Sequence, residues 1–301
     1  MSITGDPTLS TSRELVFEAH GINRSIFVRA WRDSHSGRLG PIIATAVLAL
    51  AFIGPFFAPY SPTAALGPPF QGPSSNHWLG TDALGRDVFS RYLSGGRTLI
   101  VVAFASTILA YSFGIPVGML AGFRRGMLDL ISVAMIDLIL AIPPIIVVLA
   151  LLAAVGPRLS LIVVAIGGVF IPRVARLVRS VTLEVSARDF VEAAIARGES
   201  LISILYRDIF TNVLLPVSAD VGIRLSGAII LFSSLSYLGL GQPPPTPDWG
   251  VMISENRAGL TIQPWPLVVP AATIALLAIA INMFVDAIAR VMGRSIVARD
   301  M

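Results

Sequence analysis

Six apolar runs dominate this sequence, at residues 39–59, 97–121, 128–154, 159–178, 213–238 and 266–289. A helix of about 20 residues crosses a hydrocarbon layer of about 30 Å, and each run reaches that length. Within lipid a backbone must satisfy its own hydrogen bonds, which leaves the helix as the natural form for such runs. The expected fold class is therefore an all-α integral membrane protein with six transmembrane helices. Composition agrees: 54% of the residues are hydrophobic and 13% are charged, against about 25% charged in soluble domains.

Arginine sets the expected orientation. With the N-terminus inside, sixteen arginines fall in inner segments and five in outer ones, and Arg224 lies within a span. Positive charge is retained on the cytoplasmic side of membranes. Both termini are thus expected inside. Residues 1–38 form a polar cytoplasmic segment, and residues 39–96 hold the first span and an external loop. The five-span core covers 97–290, and a cytoplasmic tail follows at 291–301. Ile22–Arg32 mixes Ile26, Phe27 and Trp31 with three arginines. It reads either as a basic amphipathic helix lying in the interface or as a polar lead-in. The first apolar run comes late enough to act as an anchor, not a cleaved leader.

Several chemistries are disfavoured. All 22 basic residues are arginine, so the chain has no P-loop lysine to cradle phosphate. There is no cysteine, and His20, His35 and His77 lack companions at metal-ligand spacing. No cofactor or metal is expected in this chain, and no nucleic acid is expected as a partner. No nucleophile–base–acid set is evident either, which ranks a membrane enzyme last.

Four segments stand out within the spans and loops. In the second run Ser106, Ala110, Gly114, Gly118 and Gly122 repeat every fourth residue, a stripe that lets another helix approach closely. Pro116 within it suggests a kink. The inner connection, with a coupling loop at about 186–212, carries Phe190–Gly198 and then Glu199 and Ser200. Ala193 and Ala194 leave room for a neighbouring surface, and Gly198 suits a left-handed helix end. Leu201, Ile204, Leu205 and Ile209 then recur at helical spacing. The product reads as a helix–turn–helix or an amphipathic connector on the membrane.

The outer connection at 60–96 has Gly80 and Gly85 placed for tight turns, with Asp82, Arg86, Asp87 and Arg91 placed to bond one another. The outer loop at about 239–265 is rich in proline, and its Trp249 suits a membrane interface. Charges within spans cost at least about 2.5–3.5 kcal/mol each. Asp137, Asp220 and Arg224 are candidate pathway residues on that ground. Asp220 and Arg224, four apart, also suit pairing on one helix face. Pro172 and Arg173 are expected to interrupt the end of the fourth span.

The inner loop resembles the E-A-A…G loop of permease subunits of bacterial ABC importers, with Glu192, Ala193, Ala194 and Gly198 matching. Asn212 and Pro216 match further on, whereas Asp208 and Thr211 stand where that subtype has His and Pro. His77–Arg91 resembles the outer-loop signature of the dipeptide/oligopeptide/nickel permease group, C-type, through Gly80, Thr81, Asp82, Gly85, Arg86, Asp87 and Arg91. Trp78 replaces a usual proline there. Leu235–Gly250 resembles the same group's later loop, through Gly239, Gly241, Pro244, Trp249 and Gly250.

The resemblance implies a type I importer permease fold. It also implies a coupling helix around Glu192, with Ser200 beside it, that docks on a separate ATPase. The expected partners are a second, B-type permease subunit, ATP-binding subunits holding ATP and Mg, an extracytoplasmic substrate-binding protein and membrane lipid. Peptide is the expected cargo, with nickel or another small solute as the alternative. An ion-driven secondary transporter is the competing class, supported by Asp137, Asp220 and Asp286. Six spans without an internal repeat are few for that class.

Overall fold

The computed structural model describes residues 35–297, apart from Arg125 and Pro244. Ile22–Arg32 and Pro244 therefore lie outside the described residues. Helix α1 (His35–Ile53) runs into a 3-10 turn at Gly54–Phe57. After the outer loop come α2 (Val88–Ser94) and α3 (Arg97–Phe123). Helices α4 (Met127–Leu140), α5 (Pro144–Val155) and α6 (Leu159–Val185) follow. The inner hairpin holds α7 (Asp189–Ala196) and α8 (Leu201–Ser203). A π-helical turn (Ile204–Ile209) joins α8 to α9 (Phe210–Tyr237). The chain closes with α10 (Trp249–Glu255) and α11 (Trp265–Val297).

Five helices are long and apolar enough to cross a membrane, and the α4–α5 pair makes a sixth crossing if taken together. The third expected span, 128–154, is bent: α4 and α5 meet at 81°. The cause is Pro143-Pro144. Proline lacks an N–H and pushes the residue before it away from helical angles. Pro143 accordingly takes ψ 131°, ending one helix and starting the next.

The fourth span needs a correction. Pro172 and Arg173 do not interrupt it, and α6 continues to Val185. Likewise α3 runs unbroken through Pro116.

The stripe on α3 is the main packing seam. All five small residues are buried. A Cβ added at Gly114, Gly118 or Gly122 would come within 2.7 Å of a side chain of Val174, Val178 or Thr182 respectively. Both series rise together, so α3 and α6 run parallel. Parallel spans require the chain between them to return across the membrane. The bent α4–α5 pair is the segment that lies between them, and taken as one span it gives six crossings. The exposed Leu, Ile and Phe side chains on the spans are the surface expected toward lipid or neighbouring helices.

Candidate functional site

The loops at 60–96 and 239–265, expected outside, form one buried polar knot. Asp82 sits at its centre. Its Oδ2 accepts from Arg86 Nε at 2.7 Å and pairs with Arg91 Nε at 3.3 Å. Glu255, on α10, joins from the far loop, accepting from Arg86 Nη2 at 2.5 Å and Arg91 Nη2 at 3.0 Å. The side chains of Asp82, Arg86 and Arg91 are nearly inaccessible, at 0%, 5% and 1% exposure. Two buried guanidiniums thus share two carboxylates, one buried and one, Glu255, partly exposed.

Asp87 departs from the expected network. It caps α2 by accepting from Ser90 N at 2.8 Å, and its other oxygen meets His77 Nδ1 at 2.9 Å. Ala83 N donates to Asn256 Oδ1 at 2.9 Å. Gln263 Nε2 donates to the carbonyls of Gln71 and Leu79, each at 2.9 Å. Thr81 Oγ1 donates to Pro68 O at 2.7 Å. At Gly85 φ is +70°, and a Cβ would fall 1.9 Å from Gly67 O. Only glycine fits that turn. Gly80 has φ +73° and is equally enclosed.

Trp249 is corrected from an interfacial to a core role. It is fully buried, its ring stacks on Tyr92 with centroids 5.7 Å apart, and its Nε1 donates to Tyr92 O at 2.8 Å. Gly241 and Gly250 both press on Ser236, while Gly239 stands in open space. Asp248 caps α10 through Gly250 N and Val251 N. Burial pushes its carboxyl above the usual carboxylate range, and those two N–H bonds partly offset that. Glu255, Asn256 and Gln263 escaped sequence reasoning. Their only sequence signal is polarity in a short segment between two apolar helices.

The charges inside the spans are largely paired. Arg224 donates to both oxygens of Asp220, at 3.0 and 2.8 Å, and Tyr111 Oη donates to Asp220 at 2.7 Å. This ties α3 to α9. Asp137, on α4, pairs with Arg176 on α6. Asp129 pairs with Arg179, with Nη2 at 2.8 Å. Two ion pairs thus staple α4 to α6. Ser226 Oγ donates to Asn282 Oδ1 at 3.3 Å, linking α9 to α11. Asp286 is exposed.

Between α6 and α9 the chain makes a capped hairpin. Gly198 has φ +75°. Its N–H donates to Ile195 O, and Glu199 N–H donates to Ala194 O, the paired bonds that end a helix through a left-handed residue. Ser200 caps the second arm through Ser203 N at 3.3 Å. That arm does not end near Asp208 and Thr211. The π turn carries it straight into α9.

Val191 and Ala194 face inward, and both are wholly buried. They belong to one cluster with Ile204, Leu205 and Ile209. Glu192, Ala193, Ala196 and Ser200 are exposed, as are Phe190 and Ile195. Ala194 thus joins the two arms and does not face a partner, a correction to the paired-alanine reading. Asp208 lies half-buried under the hairpin. Burial, then Glu199, raises its carboxyl, against Arg207 and Arg197. Glu199 itself is held below the usual range by Arg197.

Comparison with known proteins bears on this arrangement. Residues 114–297 match the family described as binding-protein-dependent transport system inner membrane component. The chain is 34% identical over 262 residues to a glutathione transport system permease protein, GsiD, of Pectobacterium atrosepticum, across 86% of this chain and 87% of that one. It is 34% identical over 253 residues to a dipeptide transport system permease protein, DppC, of Alkalihalophilus pseudofirmus, across 82% of each. The corresponding protein of Haemophilus influenzae is 31% identical over 263 residues, across 85% and 89%.

Proposed function

The chain belongs to the family of binding-protein-dependent transport system inner membrane components, and from that premise we propose that it carries short peptides inward. It is a multi-pass permease subunit of an ABC importer, and such subunits are not themselves the catalysts. The family implies an ATPase and a substrate-binding protein as partners. Our reading adds a B-type permease subunit that completes the pathway. ATP and Mg are held on the ATPase subunits, and both ends of this chain lie in the cytoplasm.

One observation carries the reading: the capped hairpin presents Glu192 and Ala193 outward on a short helix, while its second arm is continuous with span α9. A push on α7 is then a push on α9, through the packing of α7, with Val191 and Ala194 buried, on the π turn Ile204–Ile209. Closure of the ATPases moves α7 and rocks the spans between outward-open and inward-open states. The outer knot supplies a rigid platform for the loaded binding protein. Peptide is chosen over nickel because the relatives' names are those of dipeptide and glutathione permeases. An apolar groove of about 770 Å³ between α9 and α11, lined in part by Ile230, Ile274 and Ile279, is open in the single chain and offers the second subunit a surface.

The test is uptake of radiolabelled dialanine into vesicles holding the assembled transporter. Uptake should require ATP and the loaded binding protein, and should survive collapse of ion gradients. Gradient-driven uptake by this chain alone would establish the secondary-transporter class instead. Uptake of radioactive nickel without peptide uptake would replace the cargo. A reporter after Gly198 should read cytoplasmic and one after Pro245 external. The reverse would overturn the orientation.

A further inference from the structure

A band of polar side chains crosses the spans halfway along their length, and one cation in it has no counter-ion among the described residues. Tyr111 stands at the midpoint of α3 and bonds Asp220, which holds Arg224. Arg176 holds Asp137. Arg173, counted with Arg176 among the inner arginines in the sequence, stands instead at the midpoint of α6, within the electrostatic reach of both Arg224 and Arg176. Its guanidinium lies 6.0 Å from the centroid of the Phe170 ring, and its Nη1 donates to Val169 O at 3.2 Å. Among the described residues no carboxylate lies within ion-pairing distance of it. The band therefore holds three guanidiniums against two carboxylates.

An arginine carries five N–H donors in a planar fork. The Val169 carbonyl occupies one, which leaves a side suited to a bidentate carboxylate. The same side of α6 is open. Arg173 is partly exposed, and one turn on, Arg176 and its partner Asp137 are 53% and 59% exposed. A helix face carrying exposed charge at this depth does not suit lipid. Such residues face a water-filled cavity or the interior of an assembly. A resident acid would complete the balance, yet the neighbouring Arg176 and Arg224 already hold the acids within reach.

We propose that Arg173 is the pathway's receiving group for a carboxylate borne by the cargo, namely the C-terminal carboxylate of a short peptide. This rests on the peptide-importer reading. Arg173 holds the anion part-way and releases it, with Arg176 and Arg224 repelling any second cation and widening the positive field.

The experiment compares dialanine with its C-terminal amide, each presented on saturating loaded binding protein to the assembled, reconstituted transporter. Uptake is measured per assembled complex for the wild type, Arg173→Gln and Arg173→Lys. The wild type should move the free acid faster than the amide. Arg173→Gln should slow the acid roughly tenfold, as expected for a lost charge-assisted bond, and slow the amide by much less. Arg173→Lys should recover part of the acid rate.

The chain has no cysteine of its own, so Arg173→Cys gives a clean second readout. A membrane-impermeant cationic thiol reagent should label it in the complex, relative to the parent complex, and restore acid uptake. Equal slowing of both cargoes overturns the proposal and leaves the importer reading standing. So does absence of labelling, or loss of the second permease subunit on purification of Arg173→Gln, which would reveal an acid on that subunit. A wild-type complex that moves neither cargo removes both the peptide reading and this inference.

Discussion

Replacing Glu255 with glutamine tests whether the outer signature is a fastener or a substrate contact. Glu255 serves two guanidiniums, Arg86 at 2.5 Å and Arg91 at 3.0 Å. Those side chains are only 5% and 1% exposed, so neither can turn to water for relief. Removing one partner of a buried ion pair costs about 3–5 kcal/mol, because the remaining charge stays buried. Two features reduce that. Asp82 still pairs with both arginines, and Glu255 is itself 24% exposed. We expect Glu255→Gln to cost about 2–3 kcal/mol on this basis.

The assay is reversible unfolding in mixed detergent micelles on rising SDS, followed by tryptophan fluorescence. Trp249 packs on Tyr92 beside the knot and should report its loss. The cycle is closed with Arg86→Met and the double variant. Coupled residues deviate from additivity by about 0.5–3 kcal/mol, and the double variant here should be less damaged than the sum by at least about 1 kcal/mol. Uptake per folded complex should be unchanged. Additive losses, or normal stability with lost uptake, would refute the fastener reading.

Two further perturbations follow from the packing and the charge. Gly118→Val places a Cβ 2.6 Å from Ala175 O and 2.7 Å from Val178 Cβ. It should cost about 1–3 kcal/mol and lower the yield of monodisperse protein. Gly168→Ala, where nothing lies within 4 Å, should be tolerated, and equal damage at both sites would contradict the α3–α6 seam. Asp208→Asn should raise the melting midpoint near neutral pH and raise it less in mild acid. Burial lifts the folded-state pKa of Asp208 above its unfolded value. Its stability contribution is therefore complete in acid and is lost as pH rises through the folded value. A wild-type-minus-variant difference that stays flat with pH would contradict this.

The spans were legible because lipid imposes a length and a polarity that few other folds need. The α3 stripe was legible for a similar reason, since a four-residue repeat of small side chains has few uses besides close helix approach. The bend at Pro143-Pro144 was not read, although both prolines were in view. Their effect depends on whether a neighbour can supply the missing bonds, and α6 tolerates Pro172 within an unbroken helix. The hairpin turn at Gly198 was read correctly from one glycine. Which alanine faces outward was not, because the inward face is set by the π turn opposite it.

Trp249 shows the same limit. Its composition suits an interface, but Gly95 and Gly96 open a slot for its ring. Glu255 is 169 residues from Arg86 along the chain. Nothing local could pair them. Arg173 was read as an interruption and as one of the inner arginines, since its proposed role rests on having no acid beside it among the described residues.

The outward face of α7 can be tested directly by cross-linking. Single cysteines replace Ala193 or Ala194 in this cysteine-free chain, each opposite a cysteine scanned along the ATPase surface in the assembled transporter. Ala193→Cys should form a cross-link whose yield changes with nucleotide, while the buried Ala194→Cys should form none. No cross-link from Ala193, or an equal yield from both positions, would contradict the docking of this helix on the ATPase.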